Sequence, residues 1–268
     1  MKDLTFVIPI RHPDNLRNPD VQVKILRKTF RSYTAQTDDS WRTVIVANPG
    51  TPLPELPKGF EVAWVDYAPN PQHELKEHEF RKALNFFLLD KGRRVWSGIK
   101  AFPDSRYFMV MDDDDLVSRD LTAFVKNNSG PNGWFIEKGY GIDPDGAFAI
   151  AIDRFHKTSG SSHIVRADLY PLPEADSDEF EDYVMTWLGA HGGITELFES
   201  IGKPLSPLPF YGAVYMVNNP NSHSNSNTVM RNYVINKDTL RRPWSIFGKL
   251  NKLKRIDNDF RLEFLGGP

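Results

Sequence analysis

Short apolar runs alternate with amphipathic stretches through the first half of the chain. Leu4-Thr5-Phe6-Val7-Ile8-Pro9-Ile10 is continuous and β-branched, as a buried strand requires, and Arg11-His12-Pro13-Asp14 closes it. Val21 to Tyr33 carries apolar side chains at 21, 23, 25, 26, 30 and 33 with Arg and Lys between them, the pattern of a surface helix. Thr43 to Ala47 reads as a second buried strand stopped by Asn48-Pro49-Gly50, and Glu61 to Val65 as a third ending at Asp66. Helical spacing follows over about 75–89 and again over 93–101. Tyr107 to Met111 is a fourth strand that runs straight into Asp112-Asp113-Asp114-Asp115.

Strands that alternate with helices in this way predict an α/β fold whose mostly parallel central sheet is covered by helices on both faces. Ligands of such sheets bind beyond the carboxyl ends of the strands. Arg11, Asn48, Asp66 and the aspartates all stand at such ends, so one edge of the sheet collects them. The second half is less regular. Gly133 to Ile142 and Ala147 to Phe155 read as strands around an Asp143-Pro144-Asp145-Gly146 turn, Glu179 to Ala190 as a helix and Tyr211 to Val217 as a late strand. Residues 218–227, rich in Asn and Ser, read as a loop.

Composition narrows the classes. With 268 residues and 40% of them hydrophobic, the chain is long enough for one large α/β domain or two small ones. A formal net charge of -2 argues against a broad basic surface for nucleic acid. The absence of cysteine excludes disulfides, thiolate nucleophiles and zinc–thiolate sites. Met1-Lys2-Asp3 leads into an apolar stretch too short for a secretory signal, and no window approaches the roughly 18 apolar residues of a membrane span. A cytoplasmic location is the expectation.

Four adjacent carboxylates repel one another unless something offsets their charge. A hard divalent cation bridging to a diphosphate does so, because Mg²⁺ or Mn²⁺ takes oxygen ligands from one or two carboxylates and from phosphates. The plain alternative, in which Asp115 or Ser118 caps a helix from Leu121 to Lys126, accounts for one or two of the acids and not for four.

Val110-Met111-Asp112-Asp113-Asp114-Asp115-Leu116-Val117 resembles the Asp-x-Asp motif of GT-A glycosyltransferases, particularly the broad family 2 pattern after the fourth strand. The first strand and the turns at Asn48 and Asp66 fall where that fold contacts its nucleotide. Lys91-Gly92-Arg93-Arg94 with Gly98-Ile99 resembles the donor-contacting segment before the fourth strand, and Phe155-His156-Lys157 through Asp168 resembles the strand and turn beside the acceptor. The resemblance spans about residues 4 to 225. It implies a GT-A, Rossmann-like fold, a UDP-sugar donor (a hexose such as galactose or glucose), Mn²⁺ or Mg²⁺, and a glycan or lipid-linked acceptor. The metal set is then Asp112, Asp114 and His223, the last in a loop context similar to that of GT-A enzymes. The donor set is Pro9, Arg11, Asn48, Asp66, Lys91, Arg94, Asp112 and Asp113, with Asp113 at the variable position of the motif. Asn48 stands where many members carry an acid, which makes Asp66 the better base-reading residue.

An inverting transfer needs a group to take the acceptor's proton. Glu181-Asp182-Tyr183 resembles the Glu-Asp pair that precedes a helix in family 2 enzymes, so Asp182 is the expected base. Its rival is His191 in the glycine-rich Gly189-Ala190-His191-Gly192-Gly193. Acids at a helix start and a histidine beside a helix-ending glycine are also ordinary surface patterns.

The implied organisation is a glycosyltransferase domain over 1–227, with a nucleotide-sugar half to 117 and an acceptor half from 118, and a C-terminal extension over 228–268. Leu240 to Ile256 holds Arg241, Arg242, Lys249, Lys252, Lys254 and Arg255 without an acid, interleaved with Trp244, Ile246, Phe247, Leu250 and Leu253. Several of the apolar positions fall at helical spacing, and such a basic amphipathic helix suits peripheral contact with the inner face of a membrane, or packing on the domain with its lysines in water. Two other readings remain open. A sugar-nucleotide nucleotidyltransferase would also place aspartates at a Rossmann-like sheet, although Ile10 to Asp14 lacks the glycine-rich loop of that class. A non-catalytic module holding Ca²⁺ or carbohydrate is the other.

Overall fold

The computed structural model describes residues 1–72, 80–217, 228–234 and 244–267. Its first half follows the alternation of strand and helix. The strands are β1 (Lys2–Pro9), β2 (Trp41–Ala47), β3 (Phe60–Trp64) and β4 (Ser105–Val110). Between them lie α1 (Pro19–Thr34) and α2 (Phe80–Ala101). Asn18 caps α1, its Oδ1 accepting from the Val21 amide at 3.1 Å, with Pro19 in the first turn. Strands β3, β2, β1 and β4 are mutually parallel, as both-sided burial demands.

Alternation along β1 divides the core. Leu4, Phe6 and Ile8 pack with Leu26, Phe30 and Tyr33 of α1. Val7 faces the other way, onto Val95 and Ile99 of α2. The two helical stretches expected at 75–89 and 93–101 are one helix over 80–101, and residues 75–79 lie outside the described part. α2 runs through Gly92, where only glycine fits, because a side chain there would run into the Val184 carbonyl of a neighbouring segment. That segment is α4 (Phe180–Tyr183) continued by a π-helical turn, Val184–Gly189. Gly189 in turn rests on the Leu88 carbonyl. The two backbones therefore meet through glycine from both sides.

The second half departs from expectation. Gly133 to Ile142 is two strands in two different sheets, β6 (Gly133–Phe135) and β7 (Lys138–Ile142). The chain turns at Ile136-Glu137, where the Ile136 amide donates to the Ser162 carbonyl and the Phe155 amide to that of Glu137. With β9 (His163–Arg166) and β10 (Ser206–Pro207) the large sheet has the order β10-β6-β9-β4-β1-β2-β3, with β9 antiparallel to both neighbours. The remaining strands, β5 (Leu116–Val117), β7, β8 (Phe148–Asp153), β11 (Tyr211–Met216) and β12 (Leu253–Arg255), form a second sheet in the order β12-β8-β7-β11-β5. Two short helices, α3 (Leu121–Asn127) and α5 (Ile194–Ser200), complete this half.

Neither Asp115 nor Ser118 caps α3. Gln36 does that from α1's end, its Oε1 accepting from the Thr122 amide at 2.9 Å. The described part of the tail is not one helix either. A short helix α6 (Ser245–Leu250) gives way to β12, which pairs with β8, and Lys252 Nζ meets Asp153 at 2.8 Å. Beyond it α7 (Asn258–Phe264) buries Phe260 and Phe264 against Tyr140. Trp244 and Phe247 stay outside, 81% and 61% exposed. No helix among the described residues is long and apolar enough to cross a membrane.

Gly98 is where α2 presses on the sheet: a methyl group there would sit 2.7 Å from Val7 Cγ1 and 2.8 Å from Val46 Cγ2. Gly98→Ala is expected to destabilise the protein by about 1–3 kcal/mol through overpacking. Urea unfolding measures this, and an unchanged midpoint would mean that α2 does not seat on β1 and β2 as described.

Candidate active site

The aspartates occupy the crossing between the two sheets. β4 ends at Val110 in the large sheet, β5 begins at Leu116 in the small one, and the intervening residues span the gap. Because both ends are pinned, the four side chains face four different surroundings. The Asp112 amide donates to Ser161 Oγ at 2.8 Å, and its carboxylate Oδ1 meets Lys91 Nζ at 2.5 Å. Asp113 turns to α1, where Gln22 donates to its carboxylate at 2.5 Å and Thr29 to its carbonyl at 3.0 Å. Asp114 is largely buried and lines a cleft. Asp115 is wholly buried and accepts from Ser159 Oγ at 2.9 Å and from the Met216 amide at 3.1 Å. Burial first, and then the charge of Asp112, push the Asp115 carboxyl up to about 7. Burial also raises Asp113, against the opposing pull of Arg11 and Gln22.

The cleft has a volume of about 310 Å³ and opens at the carboxyl ends of β1 and β4. Pro9 and Arg11 line it from β1's end, Lys91 and Arg94 from α2, and Asp112, Asp113 and Asp114 from the crossing. Arg94 is 1% exposed, donating from Nε to Asp90 at 3.1 Å and from Nη1 to Asn48 Oδ1 at 2.8 Å. Its Nη2 is buried without a hydrogen-bond partner among the described residues. Asp90 is shared with Arg93, which lies over the Tyr67 ring at 4.4 Å. One carboxylate thus holds two guanidiniums, leaving this wall with an excess of positive charge.

The opposite wall comes from the second half: Thr158, Ser159, Gly160, His191 and Tyr215. Gly160 keeps this corner uncrowded, since a methyl group there would press on Lys91 Nζ at 3.0 Å and Asp112 Oδ2 at 3.1 Å. His191 follows the π-helical turn that is locked to α2, which brings it to the same corner. Burial, and then the Lys91 ammonium, lower its pKa, so its imidazole is neutral at physiological pH.

Not every expected residue lines this cleft. Asn48 stands behind it, bonding Arg94 and donating to the Tyr67 carbonyl at 2.8 Å. Asp66 is exposed and outside the lining, and so is Asp182 on the solvent side of α4. His223 lies outside the described residues. Several lining residues carried no signal in the sequence. Asn15 and Asn70, from distant loops, clasp each other by reciprocal hydrogen bonds of 3.0 and 2.8 Å. Asp90, Phe87 and Tyr215 are legible only once α2 and β11 face the cleft. Ser159 and Ser161 were within reach, because they flank the glycine of Gly160-Ser161-Ser162.

Among the described residues no three carboxylate or imidazole groups converge as a ready metal-ligand set. Asp112 and Asp114 nevertheless both reach the cleft, and two carboxylates completed by phosphate oxygens and water are a usual Mg²⁺ arrangement. The donor set fits such an ion. Arg11, Lys91 and Arg94 on the same walls fit the phosphates that would come with it.

Behind the serine turn, His163 opens β9 between Ser162 Oγ and Thr195 Oγ1, each at 3.1 Å. Burial first, then the neighbouring His156, push its pKa from 6.5 down to about 3. Unfolded chains take up the proton near 6.5 and folded chains do not, so the stability this ring contributes is lost as pH falls from 6.5 toward 3. Between pH 7 and 5 the wild type is expected to lose about 2 kcal/mol more than His163→Gln. Denaturant midpoints of both proteins at the two pH values check this; parallel losses would mean the ring is protonated in the fold.

No protein-family model matches the chain, and no curated protein does. Among solved structures, Rv0371C from Mycobacterium tuberculosis H37Rv, in complex with manganese, is similar at 13% identity and a TM-score of 0.35. That match covers 84% of this chain and 95% of the other. A glycosyltransferase involved in glycosylation of the major capsid of PBCV-1 is similar at 12% identity and a TM-score of 0.36, covering 83% and 96%. A likeness this slight identifies neither family nor activity, and the functional case rests on the cleft's own residues.

Proposed function

We propose that the cleft binds a nucleotide sugar with a divalent cation and transfers the sugar to an acceptor hydroxyl. The observation that carries this reading is the meeting, at the carboxyl ends of β1 and β4, of Asp112 and Asp114 with Arg11, Lys91 and Arg94. A site with carboxylates on one wall and fixed cations on another suits a metal–diphosphate better than either part alone. The donor is a UDP-hexose such as UDP-galactose or UDP-glucose. The acceptor is a glycan or a lipid-linked sugar.

Asp112 and Asp114 would hold Mn²⁺ or Mg²⁺, which supplies neutralisation of the leaving diphosphate. Arg11 and Arg94 bind phosphate oxygens from either side, and the Asp90 and Asn48 contacts keep Arg94 oriented without reorganisation. Gly160 keeps the corner beside Asp112 open to the ligand. Transfer is inverting, with His191 taking the proton of the attacking hydroxyl. A neutral imidazole lining the cleft fits that task, whereas Asp182 is exposed to solvent away from it. Exposed Trp244 and Phe247, in a tail rich in Lys and Arg, support peripheral contact with an anionic membrane surface through 240–256.

Product analysis with Mn²⁺ and a panel of nucleotide sugars tests the reading. Release of free UDP with an inverted product is expected. Pyrophosphate release would instead indicate nucleotidyl transfer, and cation binding without turnover a non-catalytic module. Asp114→Ala is expected to reduce metal-dependent transfer by at least about 100-fold. His191→Ala should lower kcat by about 100-fold or more with little change in donor binding, while Asp182→Ala retains activity. A loss confined to Asp182→Ala would return the base to α4.

A further inference from the structure

We propose that Lys91 is a resident counter-cation of Asp112 which the divalent ion must displace, so that metal and nucleotide diphosphate bind cooperatively. This rests on the reading of the cleft as a metal–nucleotide site. Lys91 Nζ meets Asp112 Oδ1 at 2.5 Å, and its side chain is 9% exposed. Both partners stand beside Gly160, where an added methyl group would lie 3.0 Å from Nζ and 3.1 Å from Asp112 Oδ2. Lys91 is also rooted one residue from Gly92, where α2 is locked to the π-helical turn. Only the outer part of the lysine side chain is able to move.

An ammonium and a divalent ion sharing one carboxylate repel strongly at this separation. Metal entering alone must break the ion pair and leave a nearly buried ammonium beside a new double positive charge. A diphosphate removes that penalty, since it brings the negative charge to which the ammonium can turn across the same cleft. Each ligand therefore raises affinity for the other, and by linkage the factor is the same in both directions. Couplings of this kind are typically about 5–150-fold. Lys91 is accordingly a positioning and coupling residue rather than one that touches the reacting sugar carbon.

Calorimetric titration of Mn²⁺ into the full chain, without and with saturating UDP, reads the coupling directly. Wild-type protein is expected to bind Mn²⁺ at least about 10-fold more tightly with UDP than without it. Lys91→Met should bind Mn²⁺ alone about 10-fold more tightly than wild type, with most of the UDP enhancement gone. Lys91→Arg, which keeps the cation, should retain the enhancement. Thermal melts of each variant confirm folding before titration. If Lys91→Met leaves Mn²⁺ affinity unchanged or weaker while UDP still binds, the displacement is wrong and the functional reading stands. If wild-type protein binds neither Mn²⁺ nor UDP, both fall.

Discussion

Four neighbouring carboxylates at the crossing of two sheets are the constraint around which this molecule is arranged. Like charges packed so closely require separate compensation, and Asp112, Asp113 and Asp115 each receive a different kind. A lysine from α2 meets Asp112, a glutamine from α1 meets Asp113, and a serine and a backbone amide meet Asp115. The turn Ser159-Gly160-Ser161 is bonded on one side to Asp115 and on the other to the Asp112 amide. Much of the second half is thereby tied to the end of β4. Changing the charge of the run would disturb both sheets together with any chemistry between them.

Glycine then decides how near the cations come. At Gly92 and Gly189 the backbones of α2 and the π-helical turn touch with no side chain between them. That contact brings Lys91 and His191, a hundred residues apart in sequence, to one corner of the cleft. Arg94, one turn further along α2, is clamped by Asp90 and Asn48 while one of its nitrogens has no partner among the described residues. A buried donor without a partner is expensive in a finished core and ordinary in a site awaiting a ligand. The cleft is therefore electrostatically prepared: positive on the α2 wall, negative at the crossing.

The periodic parts of the sequence were legible. Continuous β-branched runs and a 3.6-residue apolar period sufficed for β1, β2, β3, β4 and α1, because burial on both faces of a parallel sheet imposes those patterns. Gly133 to Ile142 was not legible as two strands. Whether its chain continues or turns at Ile136-Glu137 depends on hydrogen bonds to the Ser162 carbonyl and from the Phe155 amide, which no local pattern encodes. Asp66 and Asp182 looked like functional acids from the element ends they occupy, yet position at an end does not say which way a side chain faces. Both face solvent outside the cleft. The tail's basic and apolar residues suggested one helix, but Leu253 to Arg255 instead satisfy an open edge of β8.

What the sequence determined by itself was where the charge gathers: an apolar strand ending in four acids, with Lys91 and Arg94 on the preceding helix. Strand burial and charge repulsion are local enough to be read from neighbouring residues. Only the tertiary structure decided what surrounds each member of the run. Asp115 is buried between the sheets, Asp113 bonds Gln22 of α1 at the cleft's edge, and Asp112 and Asp114 line the cleft beside it, because side-chain surroundings are set by segments distant in the chain. The same holds for His191, which is an ordinary turn histidine in sequence and a cleft wall only because two glycines let its backbone approach α2.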